Sequence, residues 1–264
     1  MKRKRTWALT AAFGAAGLAV LLLNSCSSLP GVVVAPLEIP GAHCIGNQAC
    51  YECHTNLVRR FESSPHAHLK LENPAQPDGT GCESCHGPGS KHVEAGGGIG
   101  RFIINPGRNP DACFRCHLQP QAEFQLPAHH PVIEGRMNCA QCHDPHGEDI
   151  LKPAGGLAMA RLNEDCAQCH HEQTRPFVFE HPALREGCTA CHNPHGSINR
   201  MMLTQADDSL CFRCHAQMQG PGVPTGETYI GKSPHAIYLQ IGTCWSAGCH
   251  TAVHGSDINP IFLY

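Results

Sequence analysis

The chain has 264 residues, among them 18 Cys and 20 His but only 9 Phe, 4 Tyr and 2 Trp. With 27 Gly and 21 Pro, it lacks the pattern of a domain built on long helices or alternating strands around a large side-chain core. Its formal net charge is −3, and the sequence has no basic patch large enough to indicate nucleic-acid binding.

The first 25 residues predict a lipoprotein signal peptide. Four basic residues at positions 2–5 precede an apolar run over 8–23, which is short for a bilayer span but typical of a signal peptide. The run ends in Leu-Asn-Ser-Cys26, which resembles the bacterial lipoprotein box, where the enzyme cuts before the Cys and the Cys receives lipid. A secreted protein cut elsewhere and an uncleaved anchor are the alternatives. Cleavage leaves 15 basic against 22 acidic residues.

Eight cysteine pairs follow along the chain, and His comes directly after each of them. Seven read Cys-x-x-Cys-His, and the eighth has four residues between its cysteines. In chain order, motifs 1 to 8 are Cys50/Cys53/His54, Cys82/Cys85/His86, Cys113/Cys116/His117, Cys139/Cys142/His143, Cys166/Cys169/His170, Cys188/Cys191/His192, Cys211/Cys214/His215 and Cys244/Cys249/His250.

Cys-x-x-Cys-His is the attachment signature of c-type haem, in which both Cys form thioethers and the His is the proximal iron ligand. Zinc sites and disulfides also use paired cysteines. Neither explains a His at the same offset after every pair. The motifs therefore predict eight covalently bound haems c, of which the eighth, with the longer gap, is the least regular.

The remaining histidines show that the chain consists of four tandem dihaem repeats. Eight of them recur at fixed places and are predicted to be distal iron ligands, so that every iron has two His. A spacer His between the odd and even motif is found at His66, His130, His181 and His235, and a loop His after the even motif at His92, His146, His195 and His254.

A loop His cannot easily reach the far side of its own haem. His146, for example, lies three residues after His143, so we expect it to serve a neighbouring haem. Four histidines fall outside the pattern and are expected at the surface or around the ligands: His43, His68, His129 and His171. Cys44 has no partner and is expected to be a free thiol.

The predicted fold is a multihaem cytochrome c with a haem core, short α-helices, irregular loops and little or no sheet. A lipidated N-terminus and tether over 26–43 leads into one octahaem domain over 44–264, with repeats at about 50–112, 113–165, 166–210 and 211–264. Since each haem has about 30 residues of chain, iron and thioether bonds must replace ordinary packing.

Several phrases resemble the DmsE/MtrA family of multihaem c-type cytochromes. They are Cys85-His86-Gly-Pro-Gly-Ser, His129-His130-Pro-Val-x-Glu-Gly, Cys142-His143-x-Pro-His-Gly and Phe177-Val-Phe-Glu-His181. The resemblance implies an octahaem periplasmic or outer-membrane component of a porin–cytochrome conduit. It implies other multihaem cytochromes as donor and acceptor, and a β-barrel porin as a further partner.

The favoured function is electron transport in anaerobic or extracellular respiration, with no catalytic residue. A protein whose irons all have two His can exchange electrons but cannot bind substrate at iron. A multihaem reductase of nitrite, hydroxylamine or tetrathionate is the enzymatic alternative, although no Cys-x-x-Cys-Lys motif occurs. A cytochrome filament is the structural alternative. The expected location is the outer membrane facing the periplasm, or the periplasm.

Overall fold

The computed structural model describes residues 37–69, 81–147, 158–215, 217–218, 227–230, 233–245 and 248–263. The predicted signal peptide, the Cys26 lipid site and most of the tether lie outside these residues. Within them, no helix is long and apolar enough to cross a bilayer.

Short helices make up most of the regular structure. The α-helices are α1 Asn47–Tyr51, α2 Thr55–Phe61, α3 Cys82–His86, α4 Ser90–Glu94, α5 Asp111–Phe114, α6 Leu118–Glu123, α7 Ala158–Ala167, α8 His171–Thr174, α9 Asp207–Cys211 and α10 Tyr238–Ile241. Single 3₁₀ turns lie at Pro65–His68, Cys139–Gln141, Pro182–Glu186, Cys188–Ala190 and Arg200–Met202.

Strands are two residues long and come in two small antiparallel sheets. They are β1 Phe179–Glu180, β2 Gln217–Met218, β3 Tyr229–Ile230, β4 Ser233–Pro234 and β5 Gly255–Ser256. β1 pairs with β5, and β3 lies between β2 and β4. The architecture is therefore mostly short helices and loops with little sheet, as the sequence predicts.

Each attachment motif closes one tight turn of backbone. In the regular motifs, the His amide donates to the carbonyl of the first Cys, for example from His117 to Cys113 at 3.0 Å and from His192 to Cys188 at 3.0 Å. The longer eighth motif makes the same bond, from His250 to Cys244 at 2.9 Å. The two extra residues therefore leave the first Cys and the His in the same relation as elsewhere.

The buried apolar core of the described residues is small. Phe114, Phe124 and Val132 form one cluster, and Ala252 is buried elsewhere. A domain of this length normally buries many more apolar side chains. Side-chain packing alone is therefore a minor contribution to holding the repeats together.

The repeats contact each other through one recurring backbone pairing. Ala128 pairs with Ser197 across the junction of repeats 2 and 3, and Phe179 pairs with Ser256 across the junction of repeats 3 and 4. In both cases a residue two positions before the spacer His meets a residue two positions after the next loop His. The pairing thus brings a spacer His and a loop His from neighbouring repeats to the same place.

Candidate haem-binding sites

The cysteines of the two motifs in each repeat lie side by side. In every repeat, the first Cys of the odd motif shares a thiol hydrogen bond with the first Cys of the even motif. The pairs are Cys50–Cys82, Cys113–Cys139, Cys166–Cys188 and Cys211–Cys244. The bond from the partner thiol lowers the pKa of Cys82 to about 7 and that of Cys188 to about 6.

The second cysteines lie near one another across the boundaries between repeats. Burial raises the pKa of Cys85, and the nearby charge of Cys116 in the next repeat adds to this shift. The same relation holds between Cys142 and Cys169, and between Cys191 and Cys214. Each motif is therefore near one neighbour through its first Cys and near the other through its second Cys. The eight motifs thus lie in one row in chain order, which we call the file.

Cys53, the second Cys of motif 1, stands at the start of this series. Its side chain is exposed, as are those of Cys85, Cys116, Cys142, Cys169 and Cys214. Its amide donates to the carbonyl of Cys50 at 3.3 Å, so the turn of the motif is kept. The thioether role of Cys53 stays a prediction.

A polar side chain fixes the spacing of the two motifs in three of the repeats. It stands three residues before the odd motif and accepts a hydrogen bond from the amide of the first Cys of the even motif. These bonds run from Cys82 to Asn47 (2.9 Å), from Cys188 to Asn163 (3.1 Å) and from Cys244 to Asp208 (2.7 Å).

Six proximal histidines face a second, recurring His ring. The distances between ring centres are 6.0 Å for His117–His66, 6.0 Å for His86–His146, 6.1 Å for His170–His130, 5.9 Å for His143–His195, 6.1 Å for His215–His181 and 6.2 Å for His192–His254.

These distances fit one iron between each pair of rings. A histidine nitrogen binds a first-row transition metal at about 2 Å and its ring centre lies roughly 1 Å further on, so opposed ligands have centres about 6 Å apart. Packed aromatic rings also fall in this range. However, all six pairs join a motif His to a recurring His, which chance packing does not explain.

The six pairs follow one rule, in which repeats exchange ligands. The spacer His of one repeat faces the odd motif of the next repeat, as His66 faces His117. The loop His of a repeat faces the even motif of the preceding repeat, as His146 faces His86. His146 thus lies opposite a motif of the neighbouring repeat, and its role as a ligand of that haem stays a prediction.

Backbone contacts aim these rings. The Nδ1 of His130 donates to the carbonyl of Pro194 at 2.7 Å, and that of His181 donates to the carbonyl of Val253 at 2.9 Å. Since a carbonyl can only accept, Nδ1 carries the proton and Nε2 keeps a lone pair for a metal. Both carbonyls belong to the residue before a loop His of the next repeat, so one bond orients two ligands.

Burial favours the neutral imidazole that a metal needs. It lowers the pKa of His117, His146, His181 and His254, and neighbouring histidines lower it further. The proximal side is held in a similar way, because the Nδ1 of His86, His192 and His250 meets the carbonyls of Ile104, Met201 and Ile261 respectively.

Two motif histidines and two recurring histidines do not take part in the six pairs. Among the described residues, no ring lies at the paired distance from His54 or His250. His92 and His235 nevertheless share the ligand-like arrangement, since their Nδ1 atoms donate to the carbonyls of Arg101 (2.9 Å) and Ser233 (2.8 Å).

The histidines that fall outside the repeat pattern have other surroundings. His68 and His171 are exposed. The Nε2 of His129 lies 2.9 Å from a carboxylate oxygen of Glu134, which raises the pKa of His129 and lowers that of Glu134. The backbone of His43 bonds to Ser90. Burial raises the pKa of the Cys44 thiol.

Sequence reasoning missed several residues that position the sites. Asn47, Asn163 and Asp208 recur three residues before an odd motif, so an alignment of the repeats with each other would have revealed them. Ser197 and Ser256 also recur, two residues after a loop His, and their hydroxyls donate to the carbonyls of Leu203 and Leu263. Glu123, whose Oε2 lies 3.1 Å from Nδ1 of His195, follows no such pattern.

Paired attachment motifs in a file, with short helices and opposed histidines, define a c-type cytochrome with several haems. A family model described as the doubled CXXCH motif matches residues 129–175 and 181–220. The chain is 30% identical over 218 residues to the multihaem cytochrome MtrA of Shewanella baltica, a match that covers 80% of this chain and 58% of that protein.

A second relative is the C-type polyhaem cytochrome OmcB of Geobacter sulfurreducens, 26% identical over 175 residues, with coverage of 62% of this chain and 22% of that protein. The chain belongs to the MtrA family of multihaem c-type cytochromes. It spans less than two thirds of the length of either relative.

Proposed function

We propose that the protein is an octahaem cytochrome that carries electrons between other redox proteins along its file of sites. When bound, haem supplies an iron that takes up and releases one electron. The chain's own residues attach it through the sixteen cysteines of the motifs and hold its iron between two imidazoles.

The observation that carries this proposal is the set of six opposed His pairs within one continuous file of motifs. An iron with His on both sides has no free position for substrate. Because the cysteines of successive motifs lie close together, they would hold neighbouring haems near one another. Electrons could then pass from site to site without movement of the protein.

We extend this ligation to the two ends of the file. Among the four repeats at about 50–264, the exchange rule gives neither His92 nor His235 a motif to face. Each lies in the same repeat as a motif His that has no opposing ring among the described residues. His92 shares its repeat with His54 of motif 1, and His235 shares its repeat with His250 of motif 8; each motif with its iron is called the site of the same number. We therefore assign His92 as the second ligand of the iron held by His54, and His235 as the second ligand of the iron held by His250.

Haem stoichiometry tests the number of sites. The intact mass of the mature holoprotein is expected to exceed the polypeptide and its lipid by eight haems. A mass with seven haems, and the same seven haems in Cys249→Ala, would show that the eighth motif is empty and would overturn the octahaem proposal.

We also propose that the protein is exported and anchored to the outer membrane by lipid on Cys26, facing the periplasm. Its proposed partners are other multihaem cytochromes and an outer-membrane porin. In membrane fractionation, Cys26→Ala is expected to move the haem-loaded protein out of the lipid-anchored fraction. Unchanged partitioning would assign the attachment to a protein partner instead of lipid.

A reductase is the second candidate, favoured by the lack of an opposing ring for His54 and His250 among the described residues. Steady-state reduction of nitrite and hydroxylamine by the pre-reduced holoprotein separates the two functions. The carrier proposal predicts no turnover. Turnover that is lost on changing motif 1 or motif 8 would assign catalysis to that end.

A further inference from the structure

One predicted iron ligand has a carboxylate as its partner. The Nδ1 of His195 lies 3.1 Å from Oε2 of Glu123. The Nδ1 atoms of seven other predicted ligands meet backbone carbonyls instead, and these are His86, His92, His130, His181, His192, His235 and His250.

The position of Glu123 is fixed from several sides. It ends α6, and Gln119, one turn earlier, donates from Nε2 to its Oε1 at 2.9 Å. Its side chain is 19% exposed. Its backbone carbonyl lies so close to Gly196 that a Cβ there would come within 2.1 Å of the oxygen. The chain after His195 is therefore pressed against Glu123.

The ring of His195 has one apolar neighbour and one motif His neighbour. Its centre is 5.4 Å from that of buried Phe124 and 5.9 Å from that of His143. The side chains of His195 and Glu123 are 30% and 19% exposed, so the pair is partly shielded from water and the carboxylate influences the imidazole more strongly than it would in bulk solvent.

A carboxylate that accepts the Nδ1 proton draws it away from the ring and makes the imidazole a stronger electron donor to the metal. A stronger donor stabilises the ferric more than the ferrous iron and thereby lowers the reduction potential. A carbonyl oxygen has no net charge and produces a smaller effect.

We propose that Glu123 is a positioning residue that lowers the reduction potential of the haem held by His143 and His195 below the value that a neutral acceptor would give. This inference rests on the proposed ligation of site 4. Site 4, at motif 4, lies in the middle of the file, so an electron that passes in either direction must cross the site whose potential Glu123 lowers.

The test is a potentiometric titration of the holoprotein, followed by electron paramagnetic resonance so that individual haems are resolved. Glu123→Gln keeps the size and an acceptor oxygen but removes the charge. One haem of eight is expected to become easier to reduce, with its ferrous-to-ferric ratio at a fixed potential rising by a factor on the order of ten. It is expected to remain low-spin.

Glu134→Gln is the matched control, since Glu134 bonds to His129, which faces no motif His. This variant is expected to leave all eight potentials unchanged. Unchanged potentials in Glu123→Gln, or the same shift in Glu134→Gln, would overturn the inference.

His195→Ala separates failure of this inference from failure of the proposed ligation. If His195→Ala opens one iron to carbon monoxide while Glu123→Gln moves no potential, the role of Glu123 is wrong and the ligation stands. If His195→Ala opens no iron, the ligation of site 4 is wrong, and this inference falls with it.

Discussion

Between interior repeats, each repeat supplies hydrogen-bond and ring partners to the histidines of its neighbour. In the first and last of the four repeats, the partners come from the same repeat or from the segment beside it. At the junction of repeats 3 and 4, His181 donates to the carbonyl of Val253, and His254 faces His192. At the C-terminal end, the equivalent His235 donates to Ser233 in its own segment and packs its ring 5.9 Å from that of Tyr238.

At the N-terminal end, the segment before motif 1 makes the contacts with repeat 1. Residues just before motif 1 lie against motif 2 and the loop that follows it. The buried carboxylate of Glu83 accepts from the amides of Ile45 (3.0 Å), Gly46 (3.0 Å) and Gly89 (2.8 Å), and Lys91 donates to the carbonyl of Pro40.

The difference indicates that an interior site takes its two facing rings from two repeats. Under the proposed assignment of His92 and His235, an end site takes both from one repeat. Repeat proteins gain their stability from such nearest-neighbour contacts, with altered units at the ends. The loop of repeat 1 is altered in this sense, since His92 lies six residues after His86, whereas His146 lies three after His143.

Removal of an interior ligand is expected to have the largest effect. His195→Ala removes the ring opposite His143 and should open one iron, so that the reduced protein binds one equivalent of carbon monoxide. His171→Ala, which changes an exposed His outside the pattern, is the control and should bind almost none. Equal binding by the two variants would contradict the exchange of ligands between repeats.

Removal of an end ligand is expected to open one iron without disturbing a junction. His92→Ala and His235→Ala should each bind one equivalent of carbon monoxide, while their thermal midpoints fall less than that of His195→Ala. Absence of carbon monoxide binding by His92→Ala would assign the second ligand of site 1 to another residue. It would then no longer hold that an end site takes both ligands from one repeat.

Crowding at a junction is expected to destabilise the array without removing a ligand. A Cβ at position 196 meets the backbone oxygen of Glu123, which cannot swing away. Gly196→Ala should therefore cost about 1–3 kcal/mol of unfolding free energy, measured by denaturant titration. In Gly107→Ala the new methyl meets only the end of the Asn105 side chain at 3.2 Å. Its cost should be clearly smaller.

The smallest effect on stability is expected from removal of the buried hydroxyls of Ser197 and Ser256. Ser197 and Ser256 each donate a hydroxyl hydrogen bond to a carbonyl six or seven residues later, at 2.6 and 2.7 Å. Ser197→Ala and Ser256→Ala should each cost about 1 kcal/mol, the usual net value of one such bond. A large difference between them in the same denaturant titration would show that the two junctions are not equivalent.

The sequence predicts the chemistry of the sites better than their arrangement. Spacing alone identifies the motif cysteines and proximal histidines, because haem attachment demands adjacent residues. Recurrence selects the spacer and loop histidines. Which motif a given His faces depends on how the repeats stack. For His146, the sequence predicts only that it does not serve its own motif, and it does not predict that the partner is His86.

Contacts over long distances in the chain are the least predictable. Glu123 and His195 are 72 residues apart and meet because the junction of repeats 2 and 3 brings them together. Nothing in the periodicity of α6 distinguishes Glu123 from an ordinary exposed Glu. The short strands are also not predictable from sequence, since two residues such as Phe179 and Glu180 carry no alternation that could be detected.

The spin state of the unmodified holoprotein tests the central claim most directly. The account predicts that all eight ferric haems are low-spin by electron paramagnetic resonance, and that the reduced protein binds far less than one equivalent of carbon monoxide. One full equivalent of high-spin haem, with matching carbon monoxide binding, would contradict it and would show that an iron in this file is open to substrate.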